Sequence, residues 1–330
     1  MIATELYDGQ GLGNQLWAYV ACRSISEKLQ LPYAILAPER FKGASFLDID
    51  IGSSLEWAGP GEANSVVVSS FHERLYYDHE LRYFASEFDE GVLDLPPNTR
   101  IEGLFQSEKY FFGNLALPKK YITIKSSFLE GDMVPEDCCV LNIRGGEYKR
   151  HKDLVLPKSY WLNAMRNMQD LHGIKRFLMV SDDPMYAKAL FPSLPVLDGG
   201  VAECYVALHQ ANYLILSNTS FAYFPVKTSD NKVSVIAPMH WARHGNKYMR
   251  WASPANLYES WVWQDVDGSL HSYLDCVHIQ ARTSAYYRKN YYVCTSPCAV
   301  RSGLAKKFLP RWMVKLVKRG LSLLLPKHIG

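Results

Sequence analysis

Ile2-Ala3-Thr4-Glu5-Leu6-Tyr7, followed by Gly9-Gln10-Gly11-Leu12-Gly13-Asn14, opens the chain and decides its fold class. The first stretch reads as a short strand and the second as a glycine turn. From Gln15 to Leu29, Leu16, Tyr19, Val20, Ile25 and Leu29 share one stripe, which predicts a helix. Pro32 ends it, and Tyr33 to Leu36 read as the next strand. Strand, glycine turn, helix and strand make a βαβ unit of a parallel sheet.

The same order returns further on. Cys138 to Ile143 predict a buried strand, Lys158 to Asp170 a helix, and Arg176 to Val180 a strand ending at Ser181-Asp182-Asp183. Pro184 to Leu190 start a helix with Pro in the first turn, where the missing N–H costs nothing. Ala202 to Ala211 read as a helix, Tyr213 to Leu216 as a strand, and Val233 to Ala237 as the last strand. Arg100 to Leu104 form another strand in the first half, and Pro118 to Pro135 read as the passage between halves. At about 150 residues per domain, 330 residues make two. The expected organisation is an α/β domain over 1–130, a second over 131–245, an aromatic-rich accessory extension over 246–300 and a basic tail over 301–330. The fold class is α/β, with two Rossmann-like parallel-sheet domains and a cleft between them.

Composition narrows the function. Charged residues make up 21% and hydrophobic ones 48%, which excludes a disordered or coiled-coil chain. No apolar run approaches the ~20 residues that span a bilayer. The start lacks a charged region followed by an apolar one, so a cytoplasmic location is expected. The seven cysteines are odd in number and scattered, unlike a disulfide framework. Cys294 and Cys298 have no completing ligands nearby in sequence, and no metal is expected.

The tail is charged differently from the body. From 301 to 330 stand eight Lys or Arg and no acid; the other 300 residues hold 28 basic and 33 acidic ones. After Pro310, Arg311, Lys315, Lys318 and Ser322 recur on one helical face, and Leu309, Trp312, Met313, Leu316, Val317, Leu321 and Leu324 fill the other. Such a helix suits the headgroup region of an anionic membrane, so peripheral contact with the inner membrane face is expected. Docking on the protein's own core is the other use of that face. Few aromatics stand there to stack bases, and no nucleic-acid partner is expected.

Three small polar turns follow strands. Gly11, Gly13 and Asn14 offer backbone N–H groups at a helix start, which suits an anion, although no third glycine or P-loop lysine follows. Asn142 and Arg144 end another strand ahead of Gly145, Gly146 and Glu147, and a guanidinium fork matches two phosphate oxygens. Ser181, Asp182 and Asp183 are read as a helix cap and hydrogen-bonding group rather than a Mg²⁺ site. Asn218, Thr219, Ser220 and Phe221 suit a phosphate or a sugar. Singly each turn serves equally as a packing device; together they converge on one crevice.

Five segments in order resemble the α-1,2-fucosyltransferases of glycosyltransferase family 11. They are Gly9-Gln10-Gly11-Leu12-Gly13-Asn14-Gln15-Leu16-Trp17, Gly103-Leu104-Phe105-Gln106-Ser107-Glu108-Lys109-Tyr110-Phe111, Asn142-Ile143-Arg144-Gly145-Gly146-Glu147-Tyr148, Ser181-Asp182-Asp183, and Ser217 to Phe224 with Val235 to Trp241 behind it. The resemblance covers about 1–245. In the third segment Asn142 stands where the family has His, Gly145 where it has a second Arg, and Glu147 where it has Asp. Arg144, which the family sets against the donor diphosphate, is kept.

The resemblance implies a GT-B fold and a metal-independent, inverting transferase with no cofactor. It implies a GDP-sugar such as GDP-fucose as co-substrate and an α-1,2 linkage to a glycan hydroxyl. The donor is then expected on the second domain and the acceptor, lipid-linked in one version, on the first. Arg144 is the expected catalytic cation and Glu147 the candidate base, with Glu108 behind it. Gly11, Gly13, Asn14, Asn142, Ser181, Asp182, Asp183, Asn218, Thr219, Ser220 and Phe221 are the expected substrate contacts. A transferase for another nucleotide-activated sugar and a non-catalytic nucleotide or glycan binder are the alternatives.

Overall fold

A computed structural model describes residues 1–53, 69–78, 83–151, 153–244, 250–251, 253–291 and 293–294. The basic tail over 301–330 lies outside the described residues.

Two parallel sheets organise the chain. In the first, Tyr33–Leu36, Ile2–Glu5, Thr99–Glu102 and Ser69–His72 lie side by side in that order, every neighbouring pair parallel. In the second the order is Arg176–Ser181, Cys138–Ile143, Tyr213–Leu216, Ser234–Pro238, Val262–Gln264 and Leu270–His271. The first five of these run parallel and the last turns back antiparallel. Cys138–Ile143 is buried along its whole length, as a central strand covered on both faces has to be.

Each sheet has a point where the chain reverses its direction of travel. In the first, the chain leaves Ile2–Glu5 toward Tyr33–Leu36 and later returns to its other side through Thr99–Glu102. In the second, it leaves Cys138–Ile143 toward Arg176–Ser181 and returns through Tyr213–Leu216. Beyond the strand ends at such a gap the connecting loops part and leave a crevice, which is where open α/β sheets bind ligands.

The first helix, Leu12–Leu29, starts three residues earlier than the stripe from Gln15 predicts, with Gly11 as its cap. Most of it is buried all round, because it packs on Ile2–Glu5 and Tyr33–Leu36 of the first sheet and is covered by the segments Glu108–Phe111, Leu117–Tyr121, Ser220–Ala222 and Tyr223–Thr228. Trp17 shows why. Its ring is 4.2 Å from that of Tyr223, 5.5 Å from Phe111 and 5.7 Å from Tyr258, so one aromatic core joins both halves. Glu108 fastens the same seam: its carboxylate meets Lys227 at 2.7 Å and accepts from the Tyr223 hydroxyl at 2.8 Å and the Glu259 N–H at 2.8 Å.

Two expectations change. Val233 to Ala237 do not end the sheet, because Val262–Gln264 adds a parallel strand beyond Ser234–Pro238. The described part of 246–300 is therefore woven into the second sheet rather than laid over it. Trp251 and Trp263 are fully buried there with rings 4.8 Å apart, and the helix Tyr273–Asn290 follows. Three residues, Val-Trp-Gln, are too few to show a period, which is why the strand escapes a reading of the sequence. Likewise Ile122–Ile124, inside the expected passage between halves, pairs back to Leu47–Ile49.

Candidate active site

The two crevices face each other and form one cavity of about 640 Å³. That lies within the ~300–1,000 Å³ of pockets that enclose small ligands. The first half contributes Gly9 and Gly11 to Asn14, with Lys42, Leu104 and Gln106. The second contributes Asn142 to Arg144, Glu147, Tyr148, Ser181, Asp182, Gly199 to Val201, Cys204, Asn218 to Phe221 and Trp241.

The glycine turn works by contact. A Cβ on Gly13 would lie 2.4 Å from the Ser220 carbonyl carbon and 2.6 Å from the Phe221 nitrogen, so only glycine lets the helix start touch the opposite corner. Asn14 completes the junction: its Oδ1 accepts from Ser220 Oγ at 2.6 Å and from Gln106 Nε2 at 2.8 Å. Asn256, buried in the second half, donates to Gln106 Oε1 at 3.0 Å. The helix carries no acid in its first turn and no side-chain cap, so its leading N–H groups are open to the cavity. A second helix, Val201–Gln210, also begins at the cavity, but there Glu203 in its first turn accepts from the Gly200 N–H at 2.7 Å and occupies that end. The open positive helix end at the cavity is therefore that of Leu12–Leu29.

Arg144 stands on the facing wall with its side chain 27% exposed. Nη1 donates to Asp182 Oδ2 at 2.6 Å and Nη2 to Glu147 Oε1 at 3.0 Å. Its guanidinium lies 4.9 Å from the Tyr148 ring centre, and its buried Nε has no partner among the described residues. Asp182 also accepts from the Gly145 N–H at 2.8 Å, which fixes the carboxylate and so the guanidinium. Glu147, by contrast, is 71% exposed and free to leave.

Asp183 stands apart from the cavity wall. Its Oδ1 accepts from the Tyr186 N–H at 3.0 Å and caps the helix Pro184–Leu190, and it ion-pairs with Lys149. The Lys149 ammonium and that N–H hold its carboxyl below its ordinary value. The capping half of the Ser181-Asp182-Asp183 reading thus falls on Asp183, and the cavity half on Ser181 and Asp182. Glu108, the second candidate base, is away from the cavity and tied into the seam described above. Cys204 reaches the cavity, but burial and the Glu203 charge push its thiol up to about 11, so it is no nucleophile near neutral pH.

Gly11, Gly13, Asn14, Asn142, Arg144, Glu147, Ser181, Asp182, Asn218, Thr219, Ser220 and Phe221 all reach this cavity. Sequence reasoning misses Lys42, Tyr148, Trp241 and the Gly199-Gly200 pair, and does not assign Gln106 to the site. The glycine pair ahead of a helix was a usable signal; Lys42 follows no motif. Among the described residues no group of three or more His, Cys, Asp or Glu is arranged to hold a metal ion.

No family model and no curated protein matches this sequence. Among solved structures, the α-1,6-fucosyltransferase NodZ soaked with GDP-fucose aligns at 14% identity with a TM-score of 0.40, covering 69% of this chain and 92% of that one. POFUT1 in complex with GDP-fucose aligns at 7% and 0.41, covering 72% and 96%. A family 9 glycosyl transferase from Veillonella parvula aligns at 10% and 0.42, covering 86% and 97%. These are partial superpositions at low identity.

Proposed function

We propose that this chain is a GT-B-type glycosyltransferase that takes a GDP-sugar, GDP-fucose first among them, and transfers the sugar to a glycan hydroxyl with inversion. The observation that carries the reading is the meeting of two sheet reversal points across one cavity, with Arg144 and the open start of the helix Leu12–Leu29 on its walls. A cavity shared by both halves suits a reaction that brings a donor and an acceptor together. The resemblance in sequence supplies the donor class and the α-1,2 linkage.

In this mechanism the acceptor oxygen forms a bond to the anomeric carbon as the bond from that carbon to the diphosphate breaks. The electron pair leaves on the diphosphate. Arg144 and the helix N–H groups stabilise that growing charge. The hydroxyl proton goes to a carboxylate. Glu147 is the candidate, because a diphosphate that takes Arg144 Nη2 releases it. Asp182 keeps the guanidinium aimed throughout and takes no proton. The basic segment 301–330 is proposed to hold the enzyme at an anionic membrane surface, where a lipid-linked acceptor would lie.

Calorimetric titration with GDP, and a screen of nucleotide sugars read by released nucleotide, test the proposal. Binding of GDP with turnover of a GDP-sugar supports it. Absence of GDP binding and of any nucleotide release removes it, and turnover of a different nucleotide sugar alone removes the fucosyl assignment.

A further inference from the structure

Asn218 sits at the end of Tyr213–Leu216, on the cavity wall, and is 2% exposed. Neither its Oδ1 nor its Nδ2 has a hydrogen-bond partner among the described residues. Its neighbours are all engaged. Ser217 Oγ donates to Asn142 Oδ1 at 3.2 Å, Thr219 Oγ1 accepts from the Phe221 N–H at 3.3 Å, and Ser220 Oγ is bound to Asn14. The Asn218 carbonyl itself accepts from the Tyr148 hydroxyl at 3.4 Å. A buried amide left wholly unpaired is costly, and its persistence calls for a ligand group that completes it.

The amide edge restricts what that group can be. It offers an acceptor and a donor side by side. Phosphate oxygens only accept and would leave Oδ1 unpaired; a cation only donates and would leave Nδ2 unpaired. A hydroxyl does both, and neighbouring sugar hydroxyls satisfy the two atoms together. Position agrees. Asn218 is two residues from Ser220, which touches Asn14 of the other half. A sugar in transit between donor and acceptor has to lie at that seam.

We propose that the Asn218 side chain selects the glycosyl group of the nucleotide sugar through its hydroxyls; this rests on the nucleotide-sugar reading above. The test titrates full-length wild type, Asn218→Leu and Asn218→Ser with GDP, GDP-fucose and GDP-mannose, alongside thermal melts. Asn218→Leu is expected to bind GDP within about twofold of wild type, and the preferred GDP-sugar on the order of 10- to 100-fold more weakly. Its melting temperature is expected to stay level or rise, because an unpaired amide has gone; an ordinary structural asparagine would lower it. Equal losses for GDP and GDP-sugar, or no loss for either, overturn the proposal while leaving the nucleotide-sugar reading standing. A wild type that binds none of the three overturns that reading and this one with it. Should the leucine variant fail to fold, the ratio of the two affinities in Asn218→Ser decides.

Discussion

Gly13 and Ser220, separated by more than two hundred residues in sequence, touch so closely that a methyl group on the glycine would be 2.4 Å from the serine carbonyl carbon. That contact joins the start of the first helix to the corner after Tyr213–Leu216 and sets the width of the cavity between them. The atoms in the way are backbone, so no side chain can swing aside to make room.

Gly13→Ala is therefore expected to pry the seam open. Overpacking of this kind costs about 1–3 kcal/mol. Urea denaturation should show the loss, and nucleotide titration should show weaker binding, since Asn14 and Ser220 part together. Unchanged stability and affinity would mean that the contact is slack.

Arg144 and Glu147 act oppositely on a bound diphosphate. Arg144→Ala is expected to lower transfer by about 10² to 10³, equivalent to roughly 3–4 kcal/mol of lost charge stabilisation. The fold should persist, because the partly exposed side chain contributes little to the core. Glu147→Gln removes the carboxylate that competes for Nη2, so GDP should bind more tightly while turnover falls. Steady-state kinetics and titration of both variants check this; weaker GDP binding by Glu147→Gln would show that no competition exists.

Glu73 makes the cavity wall sensitive to pH. Its buried carboxylate accepts from the N–H groups of Leu104 at 2.7 Å and Phe105 at 2.9 Å and from the Tyr110 hydroxyl at 2.8 Å. Burial outweighs those donors and raises its pKa from 4.5 to about 7. A folded value above the unfolded one means full stability below about pH 4.5, lost as pH rises through about 7. The loss is roughly 3 kcal/mol at most. Lys232, lowered by burial to about 7, moves stability the other way above that pH. The readout is thus wild type minus Glu73→Gln in urea at pH 5 and pH 8. A difference that does not change with pH would count against it.

Asp183→Ala is expected to cost about 0.5–2 kcal/mol through the lost cap of Pro184–Leu190. Because Asp183 stands off the cavity wall, nucleotide affinity should change far less than for a substitution at Asp182. Calorimetric titration of the two variants side by side decides whether the pair divides its work in this way.

Much of this was legible from residues alone. Pro184–Leu190 follows from the Pro in its first turn, and the strands Tyr33–Leu36, Cys138–Ile143 and Tyr213–Leu216 follow directly from apolar runs bounded by Pro, Gly and polar turns. Local pattern suffices there because burial on both faces demands a continuous apolar run. The glycine turn, the Arg144 loop and the Asn218–Phe221 corner stand out for a related reason: chemistry at strand ends leaves small and polar residues behind. What the chain order could not reveal is which loops meet. Lys42 reaches the cavity only through tertiary packing. Glu108 carries a motif's signature yet ends in an ion pair with Lys227. Asp182 and Asp183 are identical neighbours, and backbone direction alone sends one to Arg144 and the other to a helix cap. Periodicity reports which face of an element is buried; contact between distant loops depends on how two sheets pack, and no local pattern encodes that.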